Sequence, residues 1–240
     1  MATKLYFHDT ANNQSGTYPA SLLADGASLG WTDGSFAGIK KMDTTINSGA
    51  SAHAQFVKAT LSSTSLQRKT MEYYWTSPPL NGAQTVGGGN MVLNVADNES
   101  ALTANWWINE CHVLVWRPST GAVVGHVRNF VGALNGLGGS EASSASSTQV
   151  THIATISTSA VSAADGDVIL AMPGSTHQQS MAAVNNVMIC YDGAVENTTE
   201  NAAVSNQASY IQFNENLSFQ GGAAPFSPVA PFGIAGFFGI

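Results

Sequence analysis

His112 and His126 flank a turn signal, Pro118-Ser-Thr-Gly121, set between two alternating apolar runs. Two imidazoles on neighbouring strands are the beginning of a site for a late transition metal, because neutral imidazole is a common ligand for such ions. The hairpin register decides whether they meet. A two-residue loop puts the rings on opposite faces, whereas a three-residue loop with a bulge puts them on one face, offset by roughly 7–8 Å at the backbone. Only the second arrangement allows a shared metal, and it needs ligands beyond these two. His8, His53, His152 and His177 are isolated, with no His-x-x-x-His or Cys-x-x-Cys spacing anywhere. The expectation is of hydrogen-bonded strand histidines, with no metal and no cofactor.

The acidic run from Asp192 to Asn201 offers Asp192, Glu196 and Glu200 as the carboxylates that a hard cation would use. It lacks the alternating Asp/Asn spacing of a calcium loop, so a solvated loop is expected. Asp165 and Asp167 read as turn residues ahead of a strand. Gly87-Gly-Gly89 precedes a strand-like run and not a helix, so it is no phosphate loop. No Gly-x-Ser-x-Gly elbow is present. Glu72 is the one acid in an aromatic strand context, beside Tyr73-Tyr74-Trp75. A pair of carboxylates for glycoside hydrolysis is a spatial feature that sequence does not display. No catalytic residue is assigned, and a non-enzymatic role is expected.

The elements that would position these groups are short, period-two runs bounded by Gly, Asn, Asp and Ser. Strands are expected at 4–8, 53–61, 69–76, 90–95, 101–108, 111–117, 122–127, 150–156, 167–172, 186–191, 208–213 and 216–220, with a short helical turn at 182–184. Gly121 supplies the left-handed position of the 118–121 turn. This pattern predicts an all-β fold, an antiparallel, jelly-roll-like β-sandwich, as a single domain over 1–220. A long loop is expected at about 10–52 and a Gly/Ser-rich connector at 136–148. Cys111 and Cys190 sit inside apolar runs and read as buried thiols.

Composition narrows the partners. Charged residues make up only 10% of the chain, well below the usual quarter, and the net charge is -7. With 8 Lys and Arg and no basic run, nucleic acid is excluded as an expected partner. The N-terminus lacks an apolar signal-peptide core and reads directly as a strand, and no run suits a bilayer span, so no membrane association is expected. Neutral surfaces of this kind suit β-rich proteins that build assemblies. Tyr73-Tyr74-Trp75 and Trp106-Trp107 lie in strands, where neighbours point to opposite faces. One of each pair should fill the core. Outward-facing aromatics would support an alternative role, a glycan- or receptor-binding module such as a fibre head.

Residues 221–240 form an uncharged arm of Gly, Pro and Phe. Its anchors are Phe226, Val229, Phe232, Ile234, Phe237, Phe238 and Ile240. Fixing the backbone of such an arm costs more than these side chains return on burial, so an ordered arm also needs backbone hydrogen bonds and nearly all anchors seated together. Such an arm packs either on its own domain or on a neighbouring subunit of a homo-oligomer; the second is the expected seat, and the anchors are the expected subunit interface.

Several phrases carry a resemblance: Lys4-Leu-Tyr-Phe-His8, Lys41-Met-Asp-Thr-Thr45, Val115-Trp-Arg-Pro-Ser-Thr-Gly121, Tyr191-Asp-Gly193 running into Glu196-Asn-Thr-Thr-Glu-Asn201, and Ser205-Asn-Gln-Ala-Ser209. Together they resemble a group of largely uncharacterised β-rich proteins encoded among the structural genes of tailed bacteriophages and in environmental viral sequences. The likeness runs from the first strand to about Phe219, and the arm departs from it. It transfers no catalytic or binding motif. It implies a virion structural component, in capsid decoration or cement or in a tail or neck, made in the host cytoplasm and partnered by other virion proteins.

Overall fold

A computed structural model of the chain describes residues 2–11, 38–46, 54–61, 67–70, 73–99, 104–129, 149–179, 185–199, 202–204 and 206–221. The strands are β1 (Thr3–Ala11), β2 (Gly38–Asp43), β3 (Ala54–Leu61), β4 (Gln67–Thr70), β5 (Tyr73–Thr76), β6 (Gln84–Val86), β7 (Asn90–Glu99), β8 (Ala104–Arg117), β9 (Ala122–Arg128), β10 (Gln149–Ser157), β11 (Val161–Ala163), β12 (Val168–Gln179), β13 (Asn185–Tyr191), β14 (Ala203–Val204) and β15 (Tyr210–Phe213). Thirteen of them make one curled sheet ordered β14-β10-β7-β15-β1-β2-β5-β12-β8-β9, with β13 bridging β3 and β7 and β4 extending from β12. β6 and β11 form a small ribbon of their own. The sheet curls until β10 lies against β8, and the ribbon's β11 packs on β9. The expected all-β, sandwich-like class is what the chain adopts.

Among the described strands, pairing is antiparallel except between β2 and β5, which run parallel from Gly38 opposite Tyr73 to Lys41 opposite Thr76. That short seam joins two antiparallel halves of the sheet. Trp75 reinforces it. Its ring packs on Phe7 of β1 at 4.9 Å between centroids and on Tyr191 of β13 at 5.2 Å. Its indole N–H donates to the His8 carbonyl at 3.1 Å. One continuous core runs through Leu5, Phe7, Met42, Trp75, Leu93, Leu114, Ile169 and Phe213, all essentially inaccessible to solvent.

Four expectations about elements change. β2 lies inside the predicted long loop, because Lys40 and Lys41 interrupt the apolar pattern that sequence reading follows. Ile39 and Met42 are nonetheless buried, and Lys40 reaches Asp9 at 2.5 Å and the Tyr191 ring. The run 69–76 is split into β4 and β5, which pair with different stretches of β12. The runs 101–108 and 111–117 are one strand, because β12 supplies a partner along nearly its whole length. Residues 216–220 form no strand; they are held by a bridge between Phe219 and Leu80, by hydrogen bonds from Leu217, Ser218 and Gln220 to Thr3, Gln84 and Pro79, and by the burial of Leu217 in the core. The helical turn at 182–184 and the connector at 136–148 lie outside the described residues.

Tyr74 and Trp75 are both buried, so each face of β5 is covered at this point. Replacing Trp75 with Ala should lower unfolding free energy by about 3–5 kcal/mol, since it removes a core ring and a buried hydrogen bond together. Denaturant titration checks this, and a loss below about 1 kcal/mol would show that the seam does not depend on the ring.

Candidate functional site

The 118–121 turn forms as expected, with Gly121 at φ 66° and its N–H donating to the Arg117 carbonyl at 2.9 Å. Next to the turn, Arg117 pairs with Ala122 and Trp116 with Val123. Continued unchanged, that register would set His126 opposite Val113, on the face away from His112. A bulge between Val115 and Trp116 shifts it, so that His126 pairs with Leu114 and comes to the His112 face. Bulges commonly re-aim a side chain in this way.

The two rings meet. His112 Nε2 lies 3.2 Å from His126 Nδ1, with the ring planes 25° apart. On its other edge, His112 Nδ1 lies 2.7 Å from the Tyr74 hydroxyl. Tyr74 reaches it across β12, where Met172 pairs with His112 and Ala171 with Trp75. His112 is completely buried, Tyr74 nearly so, and His126 partly exposed on the terminal strand of the sheet. Burial, and after it the charge of His126, push His112 down to about 3 from the usual 6.5. Its ring is therefore neutral, donating through one nitrogen and accepting through the other.

A second polar centre lies where residues 192–199, a strap, meet β1 and β7. Its path turns at Asp192, which adopts φ 67°. At Gly193 an added Cβ would fall 2.2 Å from the Gln207 carbonyl oxygen. Asp192 accepts from His8 Nδ1 at 2.9 Å, while His8 Nε2 faces the Thr45 carbonyl at 3.2 Å. Each ring nitrogen thus has an oxygen within hydrogen-bond distance. Glu196 accepts from Lys4 and from the Tyr6 hydroxyl. Burial works to raise the Glu196 carboxyl, but those two hydrogen bonds and the Lys4 charge outweigh it and hold it below the usual range. Beneath the strap, Gln207 Nε2 donates to Asn94 Oδ1 at 2.6 Å, and Asn94 Nδ2 donates to the Asn197 carbonyl at 2.9 Å.

No family model and no curated protein matches the chain.

Among the residues singled out from sequence, Asp192 and Glu196 share the strap but face different partners on β1. Glu200 lies outside the described residues, as do the arm residues Phe226, Val229, Phe232, Ile234, Phe237, Phe238 and Ile240, and Glu72. The side chains of Trp106 and Trp107 lie outside them too. Asp167 is more than a turn residue. It is buried, accepts two hydrogen bonds from the Arg117 guanidinium at 2.8 and 2.9 Å, and accepts one from the Ala164 N–H. Cys111 is a buried thiol. Sequence reading missed Tyr74 as the partner of His112, because two intervening strand registers separate them.

The buried His112 sets a pH dependence. The unfolded chain takes up this proton near 6.5 and the folded one only near 3. Its contribution is complete above pH 6.5 and is lost progressively as pH falls towards 3. Melting temperature should therefore begin to fall below about pH 6.5, ahead of any carboxylate titration. His112→Gln, less stable throughout, should remove the slope between pH 6.5 and 5. A slope unchanged in that variant would assign the effect elsewhere.

Proposed function

We propose that this protein is a non-enzymatic structural component of a virion, which assembles with copies of itself and with other virion proteins through its β-sheet faces and the arm at 221–240. Supporting this is the contrast between the domain and its arm. Among the described residues Val195 is the one exposed large hydrophobic, so the apolar side chains described there are taken up by the domain's own packing. The arm then carries seven further apolar anchors and no charge. An apolar segment of that kind is a recognised means of joining subunits.

The point of departure supports the same reading. Gln220 is pinned by its N–H to the Pro79 carbonyl at 2.8 Å and by its side chain to Asp165 at 3.1 Å, and Gly221 is exposed. Asp165 also accepts the Gly82 N–H at 2.7 Å, which ties the exit to a second loop. The domain thus fixes where the arm starts. The charged and polar groups described above are engaged in holding the fold, which agrees with a structural role. For the glycan-binding alternative, Tyr74 and Trp75 are buried and offer no stacking surface. The virion location rests on the resemblance in the strand-rich part of the chain.

Deleting 221–240 tests the proposal. The full chain should form an oligomer by light scattering, and the truncated chain should be monomeric with an unchanged melting temperature. Truncated protein of the same assembled mass as the full chain would overturn the arm's role.

A further inference from the structure

We propose that His112 and His126 chelate a late first-row divalent cation of the Zn²⁺ or Ni²⁺ class, with Tyr74 as the positioning residue that orients His112. Three observations carry this. The first is the bulge: without it the rings lie on opposite faces, and with it they converge. The second is the separation. At 3.2 Å the two nitrogens stand at the long limit of an N–H hydrogen bond, about 2.7–3.2 Å. Two nitrogens each roughly 2.0–2.1 Å from a tetrahedral Zn²⁺ lie about 3.4 Å apart, so a few tenths of an ångström, with a tautomer shift that moves the shared N–H to the far nitrogen of its ring, convert the pair into a chelate.

The third is the support behind the inner ring. A metal-bound imidazole commonly passes its other N–H to a fixed oxygen, and the Tyr74 hydroxyl stands 2.7 Å from His112 Nδ1. In the chelate, His112 Nε2 and His126 Nδ1 give their lone pairs to the cation. His112 keeps its Nδ1–H, donated to the Tyr74 oxygen, and His126 keeps its Nε2–H. Access is from the side of β9, where His126 is partly exposed and the sheet ends. Among the described residues no third His, Cys, Asp or Glu joins the pair, so water completes the coordination. Imidazole ligation with open positions favours Zn²⁺, Ni²⁺ or Cu²⁺ over Mg²⁺ or Ca²⁺.

Titration of chelator-stripped full-length protein with Zn²⁺ and Ni²⁺, followed by calorimetry and by imidazole ¹⁵N shifts, tests the proposal. One site per chain is expected, with shifts at His112 and His126 and none on adding Mg²⁺. His126→Ala should abolish that site, and Tyr74→Phe should weaken it roughly tenfold while leaving the stoichiometry intact. Because His126 lies on a terminal strand, its replacement should leave the metal-free melting temperature within a few degrees, which separates lost binding from lost folding. No site in the wild type, or a site unaffected by His126→Ala, would overturn the proposal and leave the pair as a hydrogen bond alone.

Discussion

The fold depends on the short parallel seam between β2 and β5. Everywhere else among the described strands of the sheet, neighbours run antiparallel, over long registers such as that of β8 and β12 and short ones such as that of β5 and β12. The seam is the one parallel pairing among the described strands, and the two antiparallel halves meet there. Trp75 reinforces it by touching both sides: its ring reaches Phe7 and Tyr191, and its N–H reaches the His8 carbonyl. One side chain thus couples β5 to β1 and β13. The curl that brings β10 against β8, and so closes a single core, requires the halves to hold together at this line.

The same geometry explains why so few charges suffice. Lys4, Lys40 and Arg117 each meet a carboxylate, and those carboxylates tie loops to strands: Glu196 the strap to β1, Asp9 β1 to β2, and Asp167 the 164–167 turn to β8. For Asp167, burial acts to raise the carboxyl, and the Arg117 hydrogen bonds and the Ala164 N–H more than offset it. These groups are structural fasteners. What remains chemically distinct is the Tyr74, His112 and His126 row, where buried imidazole is neutral and supported from behind.

The fold class and most strands were legible because alternating apolar runs and Gly or Asp turns are local signals. The Gly121 turn is one such case, and Asp165-Gly166 ahead of β12 is another. β2 was not legible, since Lys40 is satisfied by partners distant in sequence, Asp9 and Tyr191, while Lys41 pairs with Asp43. The His112 and His126 meeting was legible only as one of two registers, because a bulge leaves no signature in residue types. Tyr74 was invisible as a site residue, because its link to His112 spans β12. Likewise, Gln207 and Asn94 are ordinary polar residues until the strap brings them within 2.6 Å.

The assembly account sets a domain whose described large apolar side chains are covered, Val195 apart, beside an uncharged arm rich in Phe and Pro. Its central claim is that residues 221–240 are seated on another chain. Hydrogen–deuterium exchange of this segment across a dilution series tests that claim most directly. The account predicts backbone protection from Phe226 to Ile240 in the assembled state that disappears on dilution to monomer. Protection that persists unchanged in the monomer, or none at any concentration, would contradict it.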